Sequence, residues 1–161
     1  MKRLSIALFA FAFAGIGGAA VSVRNMTLAE LVRAADCVVL ADVESARSEW
    51  SADGKTIYTL VTLAVRECWK GSPVERVVVR VPGGQIGAVK LHVSEAATFV
   101  VGERTTTFLR AVPQPGGTTV IETVGWFRGK LSVAGDTVRE MKGKTVAALR
   151  GEVAELVRLG R

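Results

Sequence analysis

Cysteine, histidine and tyrosine are scarce in this chain of 161 residues: it has two cysteines, Cys37 and Cys68, one histidine, His92, and one tyrosine, Tyr58. A zinc site needs three or four converging Cys, His or carboxylate ligands, usually with a close-spaced pair. Two cysteines about 30 residues apart and a lone histidine do not supply one, so no metal is expected. No calcium-loop pattern of alternating Asp/Asn occurs, no phosphate-binding loop, and no glycine-rich turn leading from a strand into a helix. No cofactor is expected either. His92 is the only candidate general base, with Ser94 two residues on as the nearest hydroxyl. A catalytic triad also needs a buried carboxylate to orient the imidazole. The expectation is that the chain is not an enzyme, with a hydrolase using His92 as an alternative. No four Lys/Arg residues stand together, so there is no polybasic tract for nucleic acid, and no nucleic-acid partner is expected.

What the chain has in excess is apolar residues at its start. Residues 1–20 read MKRLSIALFAFAFAGIGGAA: a basic Lys2-Arg3, an apolar run from Leu4 to Ile16, then Gly18 and Ala20 as small residues before a cleavage point. These are the three parts of a secretory signal. The apolar core is about 13 residues, shorter than the roughly 20 that a spanning helix needs. The chain is therefore expected to be exported, periplasmic or extracellular, with no stable membrane span after cleavage. Of its net charge of +6, two units belong to Lys2 and Arg3 and would leave with the signal.

Beyond the signal, one barrel domain is expected over 21–141 and a C-terminal helix over 142–161. Thr27-Leu28-Ala29-Glu30 is a capping-box pattern, and Leu28, Leu31, Val32 and Ala35 follow on one helical face. Cys37–Val43 is a short, β-branched apolar run, read as a strand to about Ser48. Asp53-Gly54 marks a hairpin turn. Ile57, Thr59, Val61, Leu63 and Val65 then alternate along a second long strand that ends near Trp69. Val74–Val81 forms a third strand, stopped by Pro82-Gly83-Gly84, and Gln85–Val93 a short irregular one. Thr105–Val112 and Thr118–Val124 follow as main strands, then a small hairpin, Gly129–Val133 with Thr137–Arg139. Gly143 opens a helix with Val146, Leu149, Val153, Leu156 and Val157 on one face. Strands joined by short turns without helical crossovers predict an antiparallel arrangement. Long early strands suit a small closed barrel. The expected fold is mainly β: a five-stranded antiparallel OB-like barrel with a short N-terminal helix and a C-terminal helix.

The stretch Ala35-Asp36-Cys37-Val38-Val39, then Ile57-Tyr58, then Trp69-Lys70-Gly71-Ser72-Pro73, then Val81-Pro82-Gly83-Gly84 resembles the N-terminal domain of tissue inhibitors of metalloproteinases and related netrin-like modules. It also looks like a group of exported bacterial proteins of unassigned function that share the V-P-G-G and a later G-E-R, here Gly102-Glu103-Arg104. The resemblance runs from about Val21 to Val112 and implies a five-stranded OB barrel. In those inhibitors a disulfide-anchored first cysteine chelates the target's zinc through its amine and carbonyl. This chain would begin at Val21-Ser22, without that cysteine. The resemblance carries the barrel and omits the staple that makes the wedge rigid.

Two further expectations concern sites. The turn at Ala52–Gly54 makes Cys37 and Cys68 near neighbours across the first hairpin, and an oxidising compartment favours a disulfide. The inward alternation of Val39, Ala41 and Val43 against Val65, Leu63 and Val61 instead puts them on opposite faces. A bulge in the first strand would reconcile the two readings, and two small buried thiols are the other outcome. Binding is expected through barrel-rim loops Trp50–Lys55, Pro82–Val89 and Pro113–Gly117, with Trp50, Pro82, Gly83, Gly84 and Trp126 as contact residues. The expected function is an exported, non-enzymatic binding module for a protein or envelope component. The alternative is a metalloproteinase-inhibitor-like protein inserting its mature N-terminus, Val21–Met26 with Val21 and Ser22 first, beside the Pro82–Gly84 loop into an extracellular metalloprotease.

Overall fold

The structure, a computed structural model, describes residues 25–160. The predicted signal segment and the ends Val21 and Ser22 lie outside the described residues. Helix α1 (Leu28–Ala34) begins as its capping box dictates. The Glu30 amide donates to Thr27 Oγ1 at 3.2 Å, and the Thr27 amide donates to Glu30 Oε2 at 2.8 Å. Nine strands follow: β1 (Cys37–Trp50), β2 (Ile57–Lys70), β3 (Arg76–Pro82), β4 (Gly84–Ile86), β5 (Val89–Leu91), β6 (Arg104–Pro113), β7 (Thr119–Thr123), β8 (Lys130–Ala134) and β9 (Thr137–Val138). A 3-10 turn, Trp126–Gly129, precedes β8, and helix α2 (Val146–Arg158) closes the chain. Its N-cap is Thr145, whose hydroxyl accepts from the Ala148 amide, so the helix starts three residues later than Gly143 suggested.

The fold is mainly β, but its sheet holds seven strands where five were expected. Their order is β1-β2-β3-β7-β6-β8-β9, and β1 also pairs with β6, so the sheet rings round. The pairing is not wholly antiparallel: β3 meets β7 in parallel at Val79 and Ile121. The extra strands, β8 and β9, extend the sheet beyond β6. The irregular segment after Gly84 is a separate two-stranded hairpin, β4 with β5.

Two cores divide the apolar residues. One lies within the ring: Val39, Ala41, Val43, Val61, Leu63, Val79, Val81 and Leu109. The other lies between the sheet and the helices: Val38, Phe108, Val124 and Leu131 pack against Leu31 and Val32 of α1 and Leu149 and Val153 of α2. Strands β1 and β6 are thus covered on both faces, Val38 and Phe108 outward, Val39 and Leu109 inward. This explains why Cys37–Val43 reads as a continuous apolar run and not as an alternation. Among the described residues no helix is long and apolar enough to cross a membrane.

The β1–β2 register carries three irregularities. Ala41 faces Val65, but Leu40 faces Glu67, so Arg66 is an extra residue on β2. Extra residues shift the side-chain phase of everything beyond them. Val39 now faces Cys68 instead of Glu67, and Cys68 joins the inward face. Cys37 packs against the same inner core. The first strand does carry a bulge, at Glu44 between Val43 and Ser45, but the extra residue that turns Cys68 inward is Arg66 in the second strand.

Candidate functional site at the Pro82 end

Strand β3 ends in Pro82-Gly83-Gly84, and the backbone here excludes side chains. Gly83 has φ +93° and Gly84 φ +145°. A Cβ on Gly84 would stand 2.4 Å from Ser48 Oγ and 2.6 Å from Thr59 Oγ1, and one on Gly83 2.9 Å from the Leu91 carbonyl. A small hydroxyl network fills the space that these glycines leave. Thr59 Oγ1 donates to the Gly83 carbonyl at 2.8 Å and lies 3.2 Å from Ser48 Oγ, which accepts from the Gln85 amide at 3.1 Å. The Gly83 amide donates to the Ile57 carbonyl at 2.8 Å. The chain is thereby pinned to β1 and β2 as it enters the β4–β5 hairpin, and residues 92–99 return across the end of the ring.

Between this strap and the ring lies a cavity of about 310 Å³. Thr59, Val61, Val81, Pro82, Gly83 and Gly84 line one side; His92, Ser94, Ala96 and Phe99 line the other. Its volume is at the lower end of small-ligand sites. His92 and Ser94 are exposed, and among the described residues the imidazole makes no hydrogen bond to a hydroxyl or a carboxylate. The strap is anchored where it returns to the sheet. Gly102 donates to the Val43 carbonyl, and Glu103 accepts from the Val100 amide at 2.8 Å. Glu103 also pairs at 2.8 Å with Lys130, whose side chain is only 9% exposed. Lys130 Nζ reaches Ser132 Oγ at 2.9 Å and lies 5.7 Å from the centre of the Phe99 ring. Arg104 Nε donates to Asp42 Oδ1 at 2.7 Å. Gly102-Glu103-Arg104 therefore fastens the strap, with Glu103 reaching the buried Lys130.

Pro82 also lines a smaller recess of about 50 Å³, with Arg80, Arg110, Glu122, Thr123 and Trp126. Arg80 pairs with Glu122 at 2.7 Å, donates to Gln114 Oε1 at 3.0 Å and stacks 4.5 Å from the Tyr58 ring centre. Its Nε is buried with no hydrogen-bond partner. Trp126 has φ +60°, directly after Gly125 at φ +64°. Among the described residues it is the one non-glycine residue with positive φ. The left-handed region costs a bulky side chain roughly 1–3 kcal/mol. The indole is 40% exposed. The turn is held by its neighbours: the Phe127 amide donates to the Glu95 carbonyl of the strap at 3.0 Å, and a Cβ on Gly129 would meet the Val124 carbonyl at 2.1 Å.

Of the residues expected in contact, Pro82, Gly83, Gly84 and Trp126 come together around these two recesses. Trp50 sits at the same end of the molecule, opposite Ile57 and 44% exposed, but outside the cavity lining. The loop Pro113–Gly117 lines neither recess and touches the smaller one only through Gln114, which accepts from Arg80. It precedes β7 whereas Trp126 follows it, so the two lie at opposite ends of that strand. Ser48, Thr59, Phe99 and Arg80 were not singled out from the sequence. For Thr59 a signal existed, since it shares the alternation of Val61 and Leu63. No protein-family model, no curated protein and no solved structure matches this chain.

Proposed function

We propose that this is an exported, non-enzymatic binding module, built on an OB-type barrel like that of the metalloproteinase-inhibitor and netrin-like domains. Its contact surface is the Pro82–Trp126 end, and its partner is a protein or envelope component. The ring β1-β2-β3-β7-β6 with its parallel β3–β7 contact supports the barrel reading, β8 and β9 being additions to it. The observation that carries the binding reading is Trp126: a half-exposed indole, held in a strained conformation beside Pro82, between two recesses. Exposed aromatics on a rigid frame are favoured anchors, and strain of this kind clusters at functional sites. The exposed, unpartnered His92 favours binding over hydrolysis.

A photo-crosslinking amino acid placed at Trp126 or at Val89, with Gly116 as the opposite-end control, tests this in the host's envelope and secreted fractions. A single protein captured from positions 126 and 89 and not from 116 is the expected result. Capture from 116 alone would move the contact surface to the other end.

The inhibitor reading has one observation of its own. Met26 packs beside Gly125, the neighbour of Trp126, with its sulfur 2.8 Å from where a glycine Cβ would stand. The chain thus enters the described structure next to the Pro82–Trp126 end. If the captured protein is a zinc protease that the purified chain inhibits, this reading replaces the general one. Deletion of Val21 and Ser22 then abolishes inhibition.

A further inference from the structure

We infer that Cys37 and Cys68 form a built oxidation site, where an external disulfide converts two thiols into one intrachain cross-link between the start of β1 and the end of β2. The site stands on register and space. The extra residue Arg66 turns Cys68 onto the inward face opposite Val39, and Cys37 packs against the same core. Both cysteines are free thiols. Gly71 makes the approach feasible: at φ +91° its missing Cβ would be 3.3 Å from Cys37 Cα and 2.7 Å from the Asp36 carbonyl. Cys68 Sγ donates to the Lys70 carbonyl at 3.2 Å, which orients it beside this gap. Both cysteines are only partly buried, so an oxidant can reach them.

The exchange has two steps. Cys68, as thiolate, attacks the external disulfide R–S–S–R, forms a mixed disulfide and releases one R–SH. Cys37 then gives up its proton and attacks the Cys68 sulfur, closing the Cys37–Cys68 bond and releasing the second R–SH. The two protein sulfurs are oxidised together by two electrons, and the external disulfide is reduced by the same two. Burial and the neighbouring thiol push the Cys37 pKa up to about 11, which suits it to the second step and not to the first. The bond would close a 32-residue loop (37 to 68 inclusive) that spans the whole β1–β2 hairpin.

The test compares the purified chain after incubation with oxidised glutathione and after dithiothreitol. The oxidised sample is expected to lose both maleimide-reactive thiols and to show a Cys37–Cys68 cross-linked peptide by non-reducing mass spectrometry. Its Tm is expected to rise by on the order of 10 °C. A stable glutathione adduct on Cys68, an intermolecular dimer or two persistently free thiols would each overturn the inference. None of these readouts depends on a binding partner, so the outcome is independent of the function proposed above.

Discussion

The two ends of β2 are built differently. At the Lys70 end the polar groups of three elements are joined to one another. Lys70 Nζ donates to the carbonyls of Val32 and Ala35, capping α1. The Asp36 amide donates to the Leu109 carbonyl, and its carboxylate accepts from the Ala111 amide at 2.8 Å. At the Ile57 end the strap leaves a cavity, His92 is exposed, and Trp126 and Val89 present apolar surface to solvent. One end ties helix to sheet; the other holds its strap at a few points and leaves apolar surface between them. Recognition is carried well by loops whose supports do not move, and this division of labour provides them.

The sharpest way to break the comparison is to cut the strap's deepest support. Glu103→Gln removes the charge that compensates the buried Lys130, and stability is expected to fall by about 3 kcal/mol in urea unfolding. A loss below about 1 kcal/mol would mean that the strap floats free of the barrel. Next in size is Lys70→Met at the other end. The methionine keeps the apolar stem and loses the two charge-assisted hydrogen bonds to α1, for an expected cost of about 2 kcal/mol. If α1 instead exchanges its amide protons no faster in the variant, the Lys70 cap is not what holds it.

The helices and the first hairpin were legible because their signals are local: the Thr27–Glu30 capping box, the Asp53-Gly54 turn, and the apolar stripe through Leu149 and Val153. The sharp turn at Gly83-Gly84 was legible for the same reason. Ring closure was not, because the β1–β6 and β3–β7 pairings join residues far apart in sequence. The cysteine geometry failed on one residue: nothing local marks Arg66 as a bulge, yet it decides which face Cys68 takes. Trp126 stood out by type, but its left-handed backbone depends on Gly125, on Gly129 against Val124, and on the strap carbonyl of Glu95. Those contacts exist only in the assembled fold.

A smaller effect follows from charge at the border between the ends. Asp42 accepts from both Arg104 and Arg66, and these hydrogen bonds, Arg104's first, hold its pKa below the ordinary 3.8. A depressed folded value contributes stability that is present above the unfolded value and lost as pH falls through the folded one. Acid unfolding should therefore steepen below about pH 4, and Asp42→Asn should flatten that limb while lowering stability at pH 7. An unchanged acid limb would show that solvent screens the Asp42 pairs completely.

The smallest expected effect on stability is the most informative about function. Trp126→Gly removes a partly buried indole but also removes left-handed strain of roughly 1–3 kcal/mol, and a glycine accepts φ +60° without cost from a side chain. The two terms oppose each other, so the unfolding free energy should move by less than about 1 kcal/mol while partner capture at this end is lost. A cost above about 2 kcal/mol would make Trp126 a packing residue that happens to be half exposed. The open end would then have no strained anchor, and the contrast between the two ends would reduce to one of loop length.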